Sequence, residues 1–113
     1  MPNDGLLDYL ELPAPDMEAT KKFYAAAFGW TFTDYGPDYV EFDSGGAKGG
    51  FNAEMKVSSG GALPVLWAND LDIVEAKVAL AGGEIISRHS FPGGRRFHFR
   101  DPNGNELAVW SDK

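Results

Sequence analysis

Two stretches of the chain carry apolar residues at helical spacing. Met17, Thr20, Tyr24 and Ala27 form one stripe, widened by Phe23 and Phe28, and Leu71, Val74, Val78 and Ala81 form a second. Residues three and four apart share a helix face, so each stripe predicts an amphipathic helix. Asp16 and Asp70 stand just ahead of them, where a carboxylate can accept from the free amides of a first turn. Gly29 and Gly82-Gly83 follow, where a left-handed residue ends a helix most cheaply. Outside the helices the pattern switches to strands. The predicted runs are Leu6–Leu12, Trp30–Tyr35, Tyr39–Asp43 and Lys48–Ala53, then Glu84–His89, Arg95–Arg100 and Glu106–Ser111. Gly36-Pro37, Gly45-Gly46, Pro92-Gly93-Gly94 and Asp101-Pro102-Asn103-Gly104 separate them with turn chemistry.

The two halves repeat each other. Asp16 to Asp70 and Gly29 to Gly83 are both 54 positions, while Asp43 to Asp101 is 58, so the second half carries a four-residue insertion. Each half reads strand–helix–strand–strand–strand, a βαβββ module. The expected organisation is residues 1–57 as the first module, 58–61 (Ser58-Ser59-Gly60-Gly61) as linker and 62–113 as the second, together one structural domain.

Composition narrows the chemistry. With 113 residues, 10 Lys+Arg and 17 Asp+Glu, the net charge is -7, which disfavours nucleic acid as a partner. There is no cysteine, which excludes disulfides, thiolate metal sites and a Cys nucleophile. No apolar run reaches the roughly 18 residues of a membrane span. Met1-Pro2-Asn3-Asp4-Gly5 lacks a basic or apolar leader, so a cytoplasmic location is expected, with no membrane partner. There is no Gly-x-Ser-x-Gly elbow and no His-Glu-x-x-His, and the glycine pairs read as turns.

The paired modules, with Asp16-Met17-Glu18-Ala19-Thr20-Lys21-Lys22-Phe23-Tyr24, Phe28-Gly29-Trp30 and Asp101-Pro102-Asn103-Gly104-Asn105 at their joints, resemble the vicinal oxygen chelate superfamily. That superfamily includes glyoxalases, extradiol dioxygenases and bleomycin-resistance proteins. The resemblance runs from Leu7 to Ser111. It implies an α+β fold in which two βαβββ modules form a curled eight-stranded mixed sheet around a cavity, with the helices outside. It also implies a homodimer and, in the enzymes, a divalent metal held by side chains from the first and fourth strands of each module.

Mapped by the spacing of metal-binding relatives from the capping Asp and the Asp-Pro-Asn-Gly turn, those four slots fall on Tyr9, Gly50, Leu63 and Ala108. Glycine, leucine and alanine offer no donor, and a lone neutral tyrosine is a poor ligand. No metal or other cofactor is therefore expected, the alternative being a divalent metal on unconventional ligands.

With the slots facing inward, strand parity turns Leu7, Glu11, Lys48, Asn52, Val65, Trp67, Glu106 and Trp110 to the same side. Leu10, Leu12, Leu107 and Val109 face the helices. Tyr9, Glu11, Trp67, Glu106 and Trp110 are the candidate ligand-binding residues, and carboxylates among aromatic faces suit a flat or cationic small molecule. Each Trp could equally fill core or a dimer contact, and each Glu could be an exposed strand end. His98, between Phe97 and Phe99, becomes the candidate catalytic acid–base group if both phenylalanines pack under the helices; otherwise it is a satisfied sheet histidine. Of Arg95 and Arg96, at most one reaches the cavity. Lys21, Lys22 and Lys77 read as solvated helix faces. The first functional expectation is a metal-free small-molecule binder in the style of bleomycin-resistance proteins. The alternative is a glyoxalase-like lyase or isomerase working through unconventional metal ligands or through His98, Glu11 or Glu106. A third is a subunit module with a vestigial cavity.

Overall fold

The computed structural model describes residues 4–5, 7–58 and 60–113. Leu6 and Ser59, expected in the first strand and the linker, and the opening Met1-Pro2-Asn3 lie outside the described residues. The elements run β1 (Leu10–Pro13), α1 (Met17–Phe28), β2 (Thr31–Asp34), β3 (Tyr39–Asp43), β4 (Lys48–Asn52), β5 (Val65–Trp67), α2 (Leu71–Leu80), β6 (Glu84–Phe91), β7 (Gly94–Arg100) and β8 (Glu106–Ser111). This is βαβββ twice. No helix among the described residues is long and apolar enough to cross a membrane.

Both helices start and stop as their sequences dictate. Asp16 accepts from the Ala19 amide at 3.1 Å, and Asp70 accepts from the Ile73 amide at 3.2 Å. Gly29 ends α1 at φ 71°, a left-handed conformation that costs any other residue a Cβ clash. The stripe Thr20, Phe23, Tyr24 and Ala27 is the buried face of α1.

The eight strands form two four-stranded mixed sheets, ordered β1-β4-β3-β2 and β5-β8-β7-β6, rather than one continuous sheet. In each, the module's first strand lies parallel to its last, and the remaining neighbours are antiparallel. The outer edges of β1 and β5 are short of partners, so the curl is not closed by hydrogen bonds. The four inserted residues lengthen the β6–β7 hairpin, whose first strand has 8 residues against 4 in β2.

The helices cover one face of the sheets, and one core joins both halves. Leu12, Phe42 and Phe51 of the first sheet and Phe97, Phe99, Leu107 and Val109 of the second all pack in it. Trp30 is sandwiched, its ring 4.7 Å from Tyr24 and 4.6 Å from Phe42, both nearly parallel. From α1, Phe23 and Phe28 reach across to Phe99, each at 5.8 Å.

A buried polar knot locks the modules together. Asp101, in the β7–β8 turn, accepts from the Tyr24 hydroxyl at 2.9 Å, from the amides of Asn103 and Asn105 at 2.9 Å each, and from the Asn105 side chain at 3.1 Å. Asn105 also donates to the Pro13 carbonyl at 2.6 Å, and the Asn103 side chain accepts from the Asp16 amide at 3.0 Å. Burial, and then the adjacent Asp101 charge, hold the Tyr24 phenol well above its ordinary pKa. Asp101→Ala leaves the Tyr24 hydroxyl and the backbone amides of Asn103 and Asn105 without that acceptor, and Tyr24 and Asn105 are buried residues. The Asn105 side chain then keeps only its bond to Pro13. The substitution should cost about 3 kcal/mol, read as a lower urea midpoint with an unchanged slope.

Candidate functional site

The face of each sheet turned away from the helices is polar, and its residues alternate with the core. In the first sheet Tyr39 stands opposite Asn52, and Glu41 opposite Gly50. Glu11 is aligned with Gly50 across the parallel pair. These side chains form one network. The Tyr39 hydroxyl lies 2.9 Å from that of Tyr9 and 3.0 Å from Glu11, and Asn52 approaches the other Glu11 oxygen at 3.5 Å. Since a hydroxyl has one proton, Tyr39 donates to the carboxylate and accepts from Tyr9. Lost hydration, then the bonds to Tyr9 and Glu11, push the Tyr39 phenol far above its usual pKa.

Gly50 makes this possible. A Cβ there would overlap the Tyr39 hydroxyl and come within 2.9 Å of that of Tyr9. The space in which a fourth-strand side chain would stand is filled by two phenolic oxygens.

In the second sheet Phe97 and Phe99 are both fully buried in the core, which turns His98 to the polar face. His98 Nδ1 lies 2.7 Å from Glu106 Oε2, while Nε2 is buried with no hydrogen-bond partner among the described residues. The carboxylate selects the tautomer with the proton on Nδ1, leaving a lone pair on Nε2. His89 meets His98 edge to face at 5.3 Å and bonds Ser87 at 3.0 Å. Trp67 and Trp110 are register partners on the same face. The Trp67 indole donates to Asp112 at 3.0 Å and carries the Lys113 ammonium 5.7 Å above its ring. This bond, ahead of smaller backbone and Lys113 contributions, holds the Asp112 carboxyl below its usual pKa. Of the arginine pair, Arg95 leaves this face to bond Asp72 of α2 at 3.2 Å, and Arg96 stays on it, opposite Trp110.

The expected residues therefore gather in pairs rather than in one closed cavity. Tyr9 joins Glu11 in one sheet, Glu106 joins His98 in the other, and Trp67 adjoins Trp110. Glu11 and Glu106 share a cleft of about 470 Å³ between β1, the segment linking the modules and β8. The physical reason is the separate sheets, whose polar faces no shared strand brings together. Tyr39 was not singled out from the sequence, and Asn52 was turned to this face without being named as a ligand-binding residue. Tyr39 and Asn52 were findable, because a hairpin centred on Gly45-Gly46 places them opposite each other and on the Gly50 face.

The residues at the family's metal positions do not fit a metal. Tyr9, Gly50, Leu63 and Ala108 supply one phenol between them, and that phenol is bonded to Tyr39. Among the described residues, no three His, Asp or Glu side chains converge where an ion could be shared.

Paired βαβββ modules, helices on one face of each sheet and polar chemistry on the other, define a two-module α+β protein of the glyoxalase type. The chain belongs to the Glyoxalase/Bleomycin resistance protein/Dioxygenase superfamily, whose profile it matches over residues 6–109. It is similar to the anthracycline biosynthesis protein DauV of Streptomyces sp. (strain C5), at 30% identity over 94% of this chain and 46% of that protein. The chain thus spans about half the length of the curated relatives it matches. The fold is shared with a glyoxalase/bleomycin resistance protein/dioxygenase family enzyme from Burkholderia phytofirmans, at TM-score 0.80 and 19% identity, covering 94% of this chain and 98% of that one. It is shared too with lactoylglutathione lyase from Agrobacterium tumefaciens, at TM-score 0.74 and 21% identity, covering 96% and 95%.

Tyr39 and Tyr24 both titrate late, and Gly50→Ala should change that for Tyr39 alone. Its methyl displaces the Tyr39 hydroxyl, so one tyrosine equivalent moves to the ordinary range near pH 10 in an ultraviolet absorbance titration. Because the folded pKa of Tyr39 is raised, the stability it contributes is complete below about pH 10 and is lost as the pH climbs towards the folded value.

Proposed function

We propose that the chain binds a small molecule on the polar faces of its sheets without a divalent metal, and that the ligand is cationic or aromatic. The observation that carries this reading is the Tyr9–Tyr39–Glu11–Asn52 network, built where a metal-binding relative would place donors. Preformed hydrogen-bonding groups with an exposed carboxylate suit an ammonium or a polarised N–H better than an anion. Glu106 and Trp110 supply the same chemistry on the second sheet, in a chain of net charge -7. The name of DauV links one relative to the making of anthracyclines, which are flat aromatic compounds, and this accords with an aromatic ligand.

A homodimer would complete the wall. Val65 and Trp67 are about half exposed on the polar face, at 49% and 56%, and Leu63 at 38%. A second copy laid against them would bury apolar surface that otherwise faces water.

A second reading has one observation behind it. The His98–Glu106 pair is an imidazole oriented by a carboxylate, with its second nitrogen free to take a proton. That geometry supports a lyase or isomerase that moves a proton at His98 Nε2. Turnover of thiol-conjugated oxoaldehydes by the wild type, lost in His98→Gln, would favour it over pure binding.

The binding reading is tested by thermal shift with acridine orange as a flat cation and naphthalene sulfonate as a flat anion. The cation should raise Tm saturably and the anion should not. Glu11→Gln combined with Glu106→Gln should remove most of the shift. Equal stabilisation of that double variant would contradict the proposal.

A further inference from the structure

A larger cavity than the cleft of Glu11 and Glu106 lies mostly on the other side of the sheets, sharing Val65 and Trp67 with the polar face. It has a volume of about 850 Å³ and sits on the helix side between the outer edges of β1 and β5, closed by the end of α1 and by α2. Its walls include Leu12, Phe28, Trp30, Leu66 and Val74. Small-molecule sites run to roughly 300–1,000 Å³ and are mostly apolar with a few polar groups, and this cavity matches on both counts.

Its charge pattern runs opposite to that of the molecule. The chain has 17 acidic residues, yet none lines this cavity, and its single charged side chain is Lys77 in the last turn of α2. Lys77 makes no ion pair among the described residues, whereas Arg88 and Arg95 each hold a carboxylate of the same helix. The sequence pattern marks Lys77 as a solvated helix residue. It is exposed, as that pattern indicates, and the fold also sets it beside an apolar opening whose lining holds no carboxylate.

We infer that this cavity is a second ligand site, for a small amphipathic anion whose apolar body lies against Trp30, Phe28 and Leu66 and whose carboxylate pairs with Lys77. It differs from the polar-face site in the sign of charge it selects, so the two are separable by experiment.

Isothermal titration with decanoate, 1-decanol and decyltrimethylammonium, below micelle formation, tests it. Decanoate should saturate at one per chain and bind about fivefold tighter than the alcohol, the scale of one exposed ion pair. Lys77→Gln should bring decanoate down to the affinity of the alcohol. Ala26→Trp, at an exposed position on the cavity wall, should weaken both at least tenfold without touching the core. Three results would overturn the inference: no saturable decanoate binding, equal or tighter binding of the cation, or unchanged affinity in Ala26→Trp. Decanoate binding only to dissociated subunits would place a second copy in the cavity and overturn it as well. The first three outcomes leave the polar-face reading standing, because Glu11 and Glu106 lie outside this cavity.

Discussion

The buried carboxylate of Asp101 is the constraint on which the two-module arrangement depends. A carboxylate out of water must be fully hydrogen-bonded or it destabilises the fold by several kcal/mol. Asp101 meets that demand partly within its own turn, through Asn103 and Asn105, and partly through Tyr24 on the helix of the other module. The bond to Tyr24 therefore fixes more than a turn. It sets how α1 lies over the second sheet, and so where Phe23 and Phe28 meet Phe99. Once the helices are pinned on one side, pleating sends every alternate strand residue to the other, and the polar faces follow.

What those faces can do depends on a missing side chain. A strand residue with a Cβ at position 50 would expel the hydroxyls of Tyr39 and Tyr9, and a ligating side chain there would point where they now meet Glu11. A metal centre and this network are mutually exclusive uses of one volume. The second sheet differs in kind: its His98–Glu106 pair is an oriented imidazole rather than a neutral mesh. The two halves thus differ in what their polar faces present, a hydrogen-bonded mesh of phenols and carboxylate in one and a carboxylate-oriented imidazole in the other.

Much of this was legible in the sequence. The helices, their caps and the buried stripe on α1 follow from spacing, because burial on one face enforces a period near 3.6. The inward and outward sides of β1, β4, β5 and β8 follow from parity, and the donor-poor slots follow from counting. Three features did not. Ile86 bulges out of the β6–β7 pairing, so Ser87 and His89 share the face of His98, a shift that simple alternation from Glu84 misassigns. The gap between sheets depends on how β1 and β5 pack at their edges, and no local pattern encodes that. Lys77 is exposed as its helical position indicates, but the apolar opening beside it was not legible, because periodicity says where a side chain leaves its helix and not what stands opposite. Tyr39 was missed for a lesser reason: the hairpin register that reveals it was available.

The central claim is that tyrosine hydroxyls hold the volume a fourth-strand metal-ligating side chain would need. Calorimetric titration of the purified chain with Zn²⁺, Ni²⁺ and Mn²⁺, run beside Gly50→Glu, tests it most directly. The account predicts no saturable site in the wild type for any of the three ions. Stoichiometric binding of one ion per chain, weakened by Glu11→Gln or His98→Gln, would contradict it.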